Sequence, residues 1–302
     1  MKNTSKLKKI FRLENLWNLI IYAILAFLAF ITLFPFWVLI VGSITSSETY
    51  YANGGMMLIP TELDFSAYKY IFAKGWASPI ISGYIVTIAE TLIGVGVNLV
   101  LSAMLAYALS RPHLPGKSIM MKFVFFTTLF SGGLIPSYLL NVSLGFVNNF
   151  WVYIIPTAIS AFNVVVLRNF FMSIPHELEE AAIIDGASNL RVFLQIVLPL
   201  AVPGLATIAL FYAVSHWNEW FNAVLYMRDQ TLWPLQMYLR EILVKSDVTS
   251  LFNVYMMDTS ELPPSFATKG ATTIVTTLPI LVLYPFLQRY FVQGMTMGSV
   301  KG

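Results

Sequence analysis

The chain has 302 residues, 57% of them hydrophobic and 11% charged, with a mean hydropathy of +0.72. A soluble domain carries roughly a quarter charged residues, so most of this surface cannot face water, and a polytopic membrane protein is indicated. The lack of cysteine excludes disulfides, thiolate metal sites and cysteine nucleophiles, and a net charge of +3 with no continuous basic face excludes nucleic-acid binding.

The first apolar run, Leu19 to Val41, follows a basic head of Lys2, Lys6, Lys8, Lys9 and Arg12. It exceeds the roughly 7–15 residues of a signal-peptide core and ends in no small-x-small cleavage site, so a retained first span is expected. Five further runs read as spans: Ile80–Leu109, Met120–Leu140, Phe150–Phe171, Leu198–Tyr226 and Thr272–Phe291. Each is near or above the roughly 20 residues that a bilayer requires. Pro35, Pro136, Pro156, Pro203 and Pro279 fall inside or at the edges of these spans, where neighbouring groups can satisfy the freed carbonyls.

Orientation follows from Lys and Arg in the short flanks. The basic head, Arg111, Lys117 and Lys122 after the second span, and Arg289 and Lys301 at the C-terminal end all fall on one side of a six-span chain. That side is expected to be cytoplasmic. The uncharged connection Asn141–Asn149 then lies outside, as do two longer segments, Gly42–Pro79 and Arg228–Lys269. No internal repeat, low-complexity tract or soluble domain boundary is present.

Gly116-Lys117-Ser118 imitates the end of a phosphate-binding loop, but Arg111 stands where the pattern needs glycine, and Pro112 and Pro115 interrupt it. It reads as a basic turn. The histidines His113, His176 and His216 lack ligand spacing. No catalytic residue and no metal site is expected.

The connection between the fourth and fifth spans is unlike the rest. Ser173-Ile174-Pro175 opens it, with proline suited to a first helical turn. Glu177, Glu179 and Glu180 favour a helix N-terminus. Gly186 can end that helix in a left-handed turn, and Ala187-Ser188-Asn189 can cap a second helix running into Val192, Phe193, Ile196 and Val197. Local physics alone equally permits an ordinary amphipathic loop. Ala181 and Ala182 would let another surface approach the backbone closely.

In the fifth span Tyr212, Ser215, Asn218, Glu219 and Asn222 recur at three- and four-residue steps, flanked by Trp217 and Trp220. One helical stripe of this kind suits a sugar path, with amides and a carboxylate for hydroxyls and indoles for C–H faces. An aromatic belt at the outer membrane interface explains the same residues. Glu219 is the strongest candidate, because a carboxylate at that depth needs a partner. Thr87, Thr91, Asn98 and Ser102, with Glu90 beside them, form a second stripe in the second span. It reads first as helix–helix contact, with substrate contact as the alternative. Asn163 and Arg168 in the fourth span are similar, and Arg168 marks that helix's cytoplasmic end.

The pattern Glu180-Ala181-Ala182, three residues, Gly186, nine residues, Ile196, one residue, Leu198-Pro199 resembles the EAA signature of ABC importer permease subunits. "IPHELEEAAIIDGAS", Ile174 to Ser188, resembles the sugar-importer branch. "FVQGMTMGSVKG", Phe291 to Gly302, resembles the tail of the maltose-permease inner subunit type. "SGGLIPSYLLNVSLGFVNNFWVYIIP" and "HWNEWFNAVLYMRD" look like a subgroup handling complex oligosaccharides.

The resemblance covers nearly the whole chain. It implies an all-α membrane protein of the type I ABC importer permease fold, with six transmembrane helices and both termini cytoplasmic. Residues 1–302 would form one permease domain, with a coupling segment at 173–199 and a tail at 291–302. Glu177, Glu180, Ala181, Ala182, Asp185 and Gly186 would dock on an ATPase subunit, and Gly298 and Lys301 in the tail would also touch it. The partners implied are a second homologous permease, two ATPase subunits, an external sugar-binding protein and membrane lipid. No cofactor is expected in this chain itself; ATP and Mg would sit on the ATPase subunits. The location implied is a bacterial or archaeal plasma membrane, with several membrane passes. Another cargo, such as peptide, polyamine or phosphate, is the first alternative. An ion-gradient-driven secondary transporter is the second, and it would call for internal repeats and midplane acids.

Overall fold

A computed structural model describes residues 3–55, 57–73, 78–244 and 265–299, with side chains placed for all of these except 3–14, 47–48, 265 and 284–299. All the regular elements among the described residues are helical. The chain forms two compact units, Met1–Ala73 with Asp247–Val275, and Lys74–Ser246 with Thr276–Gly302.

In the first unit, α1 (Asn3–Ser43) is apolar on every side from Leu16 onward, and Leu16, Ile20, Phe27, Ile31 and Trp37 are all exposed. A helix that is hydrophobic all round needs lipid or protein on every face. Its C-terminal end turns inward, where Val41 and Ser43 are buried and the Ser43 hydroxyl lies 2.9 Å from that of Tyr68. Two short helices follow, α2 (Ser47–Ala52) and α3 (Ser66–Phe72), and the Asp64 carboxylate accepts from the first N–H of α3 at 2.8 Å. Phe266, near the start of the C-terminal helix Ser265–Ser299, stacks on Tyr50 with ring centroids 4.5 Å apart.

The second unit is built around α4 (Pro79–Ser110), whose first position is the proline that a helix start tolerates. Its inward residues recur at three- and four-residue steps: Ile80, Gly83, Thr87, Glu90, Gly94, Asn98, Ser102, Ala106 and Leu109. Many are small. Helices in lipid gain no hydrophobic drive from meeting each other, so close backbone approach over small residues does that work.

α5 (Lys117–Leu129) and α6 (Leu134–Ser143) meet at 112°. The sequence suggests one helical span from Met120 to Leu140; the structure breaks that helix in two. Phe130 is extended, Gly132 and Gly133 have little helix propensity, and Pro136 offers no N–H to a ladder running through. The expected fourth span, Phe150–Phe171, is likewise interrupted. A short 3-10 turn, Phe150–Tyr153, gives way to non-helical chain around Pro156, and α7 (Ala161–Ser173) begins only where the Ser160 hydroxyl caps the N–H of Asn163.

Beyond α7 come α8 (His176–Ile184), α9 (Asn189–Val192), a π-helical turn Phe193–Val197, α10 (Leu198–Leu200) and α11 (Val202–Trp217). The chain bends by 81° between α10 and α11. Pro199 and Pro203, four residues apart, each remove a ladder donor, and the π turn just before Pro199 absorbs the mismatch. The fifth span also stops earlier than Tyr226. α11 ends at Trp217, and α12 (Phe221–Tyr226) is a separate helix. α13 (Leu235–Val244) packs on α4.

Among the described residues, three helices are long and apolar enough to cross a membrane: Asn15–Ser43, Pro79–Ser110 and Phe266–Leu283. The two bent pairs, Lys117–Leu129 with Leu134–Ser143 and Asn189–Leu200 with Val202–Trp217, each qualify if taken as one broken span. α7, at 13 residues, is too short to cross alone.

Candidate functional site

Two polar features stand out on the second unit. The first is the helix–turn–helix at α8 and α9. The acids Glu177 and Glu179 occupy the first turn of α8, where they meet the positive end of the helix dipole. The helix ends in a Schellman motif: Gly186 N–H donates to Ile183 O at 3.0 Å and Ala187 N–H to Ala182 O at 2.9 Å. Gly186 has φ +84°, a left-handed conformation that costs other L-residues about 1–2 kcal/mol. Ser188 then caps α9 by accepting from Arg191 N–H at 3.4 Å.

Two faces result. Glu177, Glu180, Ala181 and Ile184 repeat at three- and four-residue steps, and all are exposed. Asp185 and Gly186 extend this outer face, and Ile184 is 85% exposed. Ala182 is half-buried and joins Glu179 on the inner face. So the expected docking residues are not all equivalent: Ala182 is an anchor, while the others look outward.

Glu179, read from the sequence only as a helix-starting acid, has a second role that the sequence reading missed. It is buried and forms an ion pair with Arg111, at the end of α4. The Arg111 guanidinium lies 4.4 Å above the Tyr107 ring, and Tyr107 packs on Phe193 of the π turn at 4.6 Å. Lys117 donates to Arg111 O at 3.0 Å and Arg168 to Leu109 O at 2.9 Å, so three cations gather at this end of α4. The available signal was spacing: Glu179 and Ala182 are three apart, on the face opposite Glu177, Glu180 and Ala181.

The second feature is a cavity of about 550 Å³ between α4, α7 and α11, with Asn98, Thr157, Ser160, Asn163, Tyr212, Ser215 and His216 among its walls. Behind it runs a buried chain of contacts. His216 Nδ1 lies 3.2 Å from Glu90 Oε1, and His216 Nε2 lies 3.0 Å from Asn98 Nδ2. Tyr212 OH lies 2.7 Å from Ser102 Oγ and accepts from Ser160 N–H at 3.0 Å. His216 sits flush against Gly94: a Cβ there would come 2.4 Å from His216 Nε2. Gly94→Ala is expected to lower stability by about 1–3 kcal/mol, as overpacking does. An unchanged melting temperature of the solubilised protein would contradict this packing. His216 lacks metal-ligand spacing in sequence, and its partners are 118 and 126 residues away, which is why the sequence reading passed over it.

The five residues read as one helical stripe, and the two tryptophans flanking it, do not share one helix. Because α11 ends at Trp217, Tyr212 and Ser215 line the cavity while the rest belong to the turn beyond. Asn218 caps α11 through Val214 O at 2.8 Å. Glu219 accepts from both Asn222 N–H and Asn222 Nδ2 at 2.8 Å, tying down the start of α12. Trp217 is buried and points its Nε1 at Thr276 O, 3.4 Å away, and Trp220 is exposed beneath the Arg240 guanidinium at 5.1 Å. In the tail, Gly298 is described only as part of the C-terminal helix, and Lys301 lies outside the described residues.

A family described as "Binding-protein-dependent transport system inner membrane component" matches residues 7–297. The polygalacturonan/rhamnogalacturonan transport system permease protein YtcP of Bacillus subtilis (strain 168) is 42% identical over 289 residues, covering 96% of this chain and 99% of that protein. Protein LplC of the same organism is 42% identical over 272 residues, covering 90% of each. The crystal structure of a bacterial ABC transporter involved in the import of the acidic polysaccharide alginate contains a chain 32% identical, with a TM-score of 0.84, covering 92% of this chain and 97% of that one.

Proposed function

Because the chain belongs to the family of binding-protein-dependent transport system inner membrane components, we propose that it is the permease subunit of an ABC importer that carries oligosaccharides. Membership places it in the membrane as a multi-pass transport subunit that works with an ATPase and a substrate-binding protein. The sugar cargo is drawn from the relatives, one named for polygalacturonan and one for alginate.

The observation that carries the reading is the α8–Schellman turn–α9 unit, a polar platform with exposed Ile183 and Ile184 on an otherwise apolar chain. Exposed apolar residues framed by acids suit a protein partner. In this reading Glu177, Glu180, Ala181, Asp185 and Gly186 meet the ATPase, Ala182 supports them from behind, and Gly298 and Lys301 reach the same partner. The cations at the end of α4 support a cytoplasmic position for that end. The six membrane passes are the three straight helices, the two bent pairs, and α7 with the chain before it, and both termini are cytoplasmic. A second, homologous permease completes the pathway, two ATPase subunits hold ATP and Mg, and this chain performs no hydrolysis itself.

The test is uptake by the reconstituted importer, with ATP and binding protein, of a panel of oligosaccharides, peptides, polyamines and phosphate. ATP-dependent uptake of an oligosaccharide is expected; uptake of another class alone would contradict the proposal. Within that assay, Glu219→Ala is expected to lower sugar-stimulated turnover several-fold, because loss of a helix cap costs about 1 kcal/mol. Glu219→Gln keeps an acceptor for the Asn222 N–H and should retain most of the rate. Unchanged turnover in Glu219→Ala would remove Glu219 from the pathway.

A further inference from the structure

We propose that the cavity between α4, α7 and α11 is a sugar subsite of this subunit, and that Asn98 is its reading residue, taking a ring hydroxyl on Oδ1. The inference rests on the oligosaccharide reading above and adds to it the position, the chemistry and the residue.

Asn98 is 1% exposed, yet it lines the cavity, and its Oδ1 has no hydrogen-bond partner among the described residues. A buried acceptor left empty is costly, so its persistence needs a reason. Its orientation is fixed from the other side. Glu90 is fully buried and its Oε1 faces His216 Nδ1. With Oε1 as the carbonyl oxygen that accepts, Nδ1 carries the proton and Nε2 becomes an acceptor. Nε2 then takes the Asn98 amide N–H at 3.0 Å, and the same amide reaches Thr157 O at 3.5 Å. With both donors of Asn98 committed, Oδ1 is the group left for a ligand. It can only accept, so the ligand must donate, as a sugar hydroxyl does.

The rest of the cavity agrees. Its volume falls in the about 300–1,000 Å³ range of small-molecule sites. Ser215 adds a hydroxyl at the edge of the cavity, and Phe162 and Phe211, with centroids 6.3 Å apart, offer apolar faces for ring C–H groups. No lysine or arginine is among its lining residues, and Glu90 stands behind His216. The subsite therefore takes the hydroxyl-bearing face of a sugar ring, and the carboxylate of a uronate unit must be met elsewhere.

The test uses the complete importer in proteoliposomes with a panel of length-matched neutral and uronate oligosaccharides, comparing wild type, Asn98→Leu and Ser215→Trp. Asn98→Leu replaces the amide with an apolar group of similar size. It is expected to raise the KM for the carried oligosaccharide about tenfold, the discrimination of roughly one unmade buried hydrogen bond. Ser215→Trp starts from an exposed position at the cavity and should obstruct it, cutting uptake at least tenfold. Oligosaccharide uptake with unchanged KM in Asn98→Leu, or with unchanged rate in Ser215→Trp, overturns the subsite while leaving the oligosaccharide importer standing. Uptake of only a non-sugar solute overturns both. Should Asn98→Leu fail to insert, Ser215→Trp decides the question.

Discussion

Gly186→Pro is expected to leave the chain in the membrane and to abolish ATP-driven uptake, by more than tenfold. Gly186 holds φ +84°, and proline is locked near −65°. Its N–H donates to Ile183 O, which proline cannot do, so the Schellman motif would lose one of its two bonds and its geometry together. The direction in which α9 leaves α8 would change, and with it the rigid path from the outer face of α8 to the π turn and α11. Gly186→Ala is the control. Nothing lies within 4 Å of a Cβ at that position, so only the backbone cost of about 1–2 kcal/mol applies, and uptake should fall far less. The measurement is uptake in vesicles normalised to the amount of inserted chain. Normal uptake in Gly186→Pro would separate this turn from coupling.

The second large effect concerns Arg111 and Glu179. Removing one member of a buried ion pair strands the other, at about 3–5 kcal/mol; Arg111 is 22% exposed on its side chain, so the low end applies. Arg111→Ala should therefore loosen the seat of α8 on α4. The outer face, with Glu177, Glu180 and Ala181, stays intact, so the ATPase should still co-purify while sugar uptake per ATP hydrolysed falls several-fold. Arg111→Lys keeps the charge but not the planar stack on Tyr107, and it should recover only part of the coupling. Reversal of both charges, Glu179→Arg with Arg111→Glu, should restore more than either reversal alone. If the double reversal were no better than the singles, the pair would not be the link between α8 and α4.

These two cases also mark what the sequence could and could not convey. The turn at Gly186 and the cap at Ser188 are local: each depends on residues within five positions, and turn chemistry identifies them directly. The family resemblance rests on the same stretch. Glu179 could be separated from Glu177 and Glu180 only by asking which face of α8 was inside, and that is decided by Arg111, 68 residues earlier. His216 is a stronger case of the same limit. Its role comes from Glu90 and Asn98 on another helix, and no spacing rule within α11 points to them.

The spans were legible as apolar runs but not as shapes. Hydropathy does not register that Gly132, Gly133 and Pro136 turn the third run by 112°, or that the fifth run ends at Trp217. Prolines read as tolerated within spans turned out, at Pro203 with Pro199, to mark an elbow of 81°. The stripe from Tyr212 to Asn222 failed for the same reason, since helical spacing was carried across a break.

The central claim is that the outer face of α8 docks on an ATPase. Since the chain contains no cysteine, Ala181→Cys provides a unique thiol on that face. Labelled there with a photo-crosslinker in native membranes, the chain should form an adduct with an ATPase subunit, identified by mass spectrometry, and Ile184→Cys should do the same. Adducts only with lipid or with other copies of this chain, from a protein that is inserted and labelled, would contradict the account.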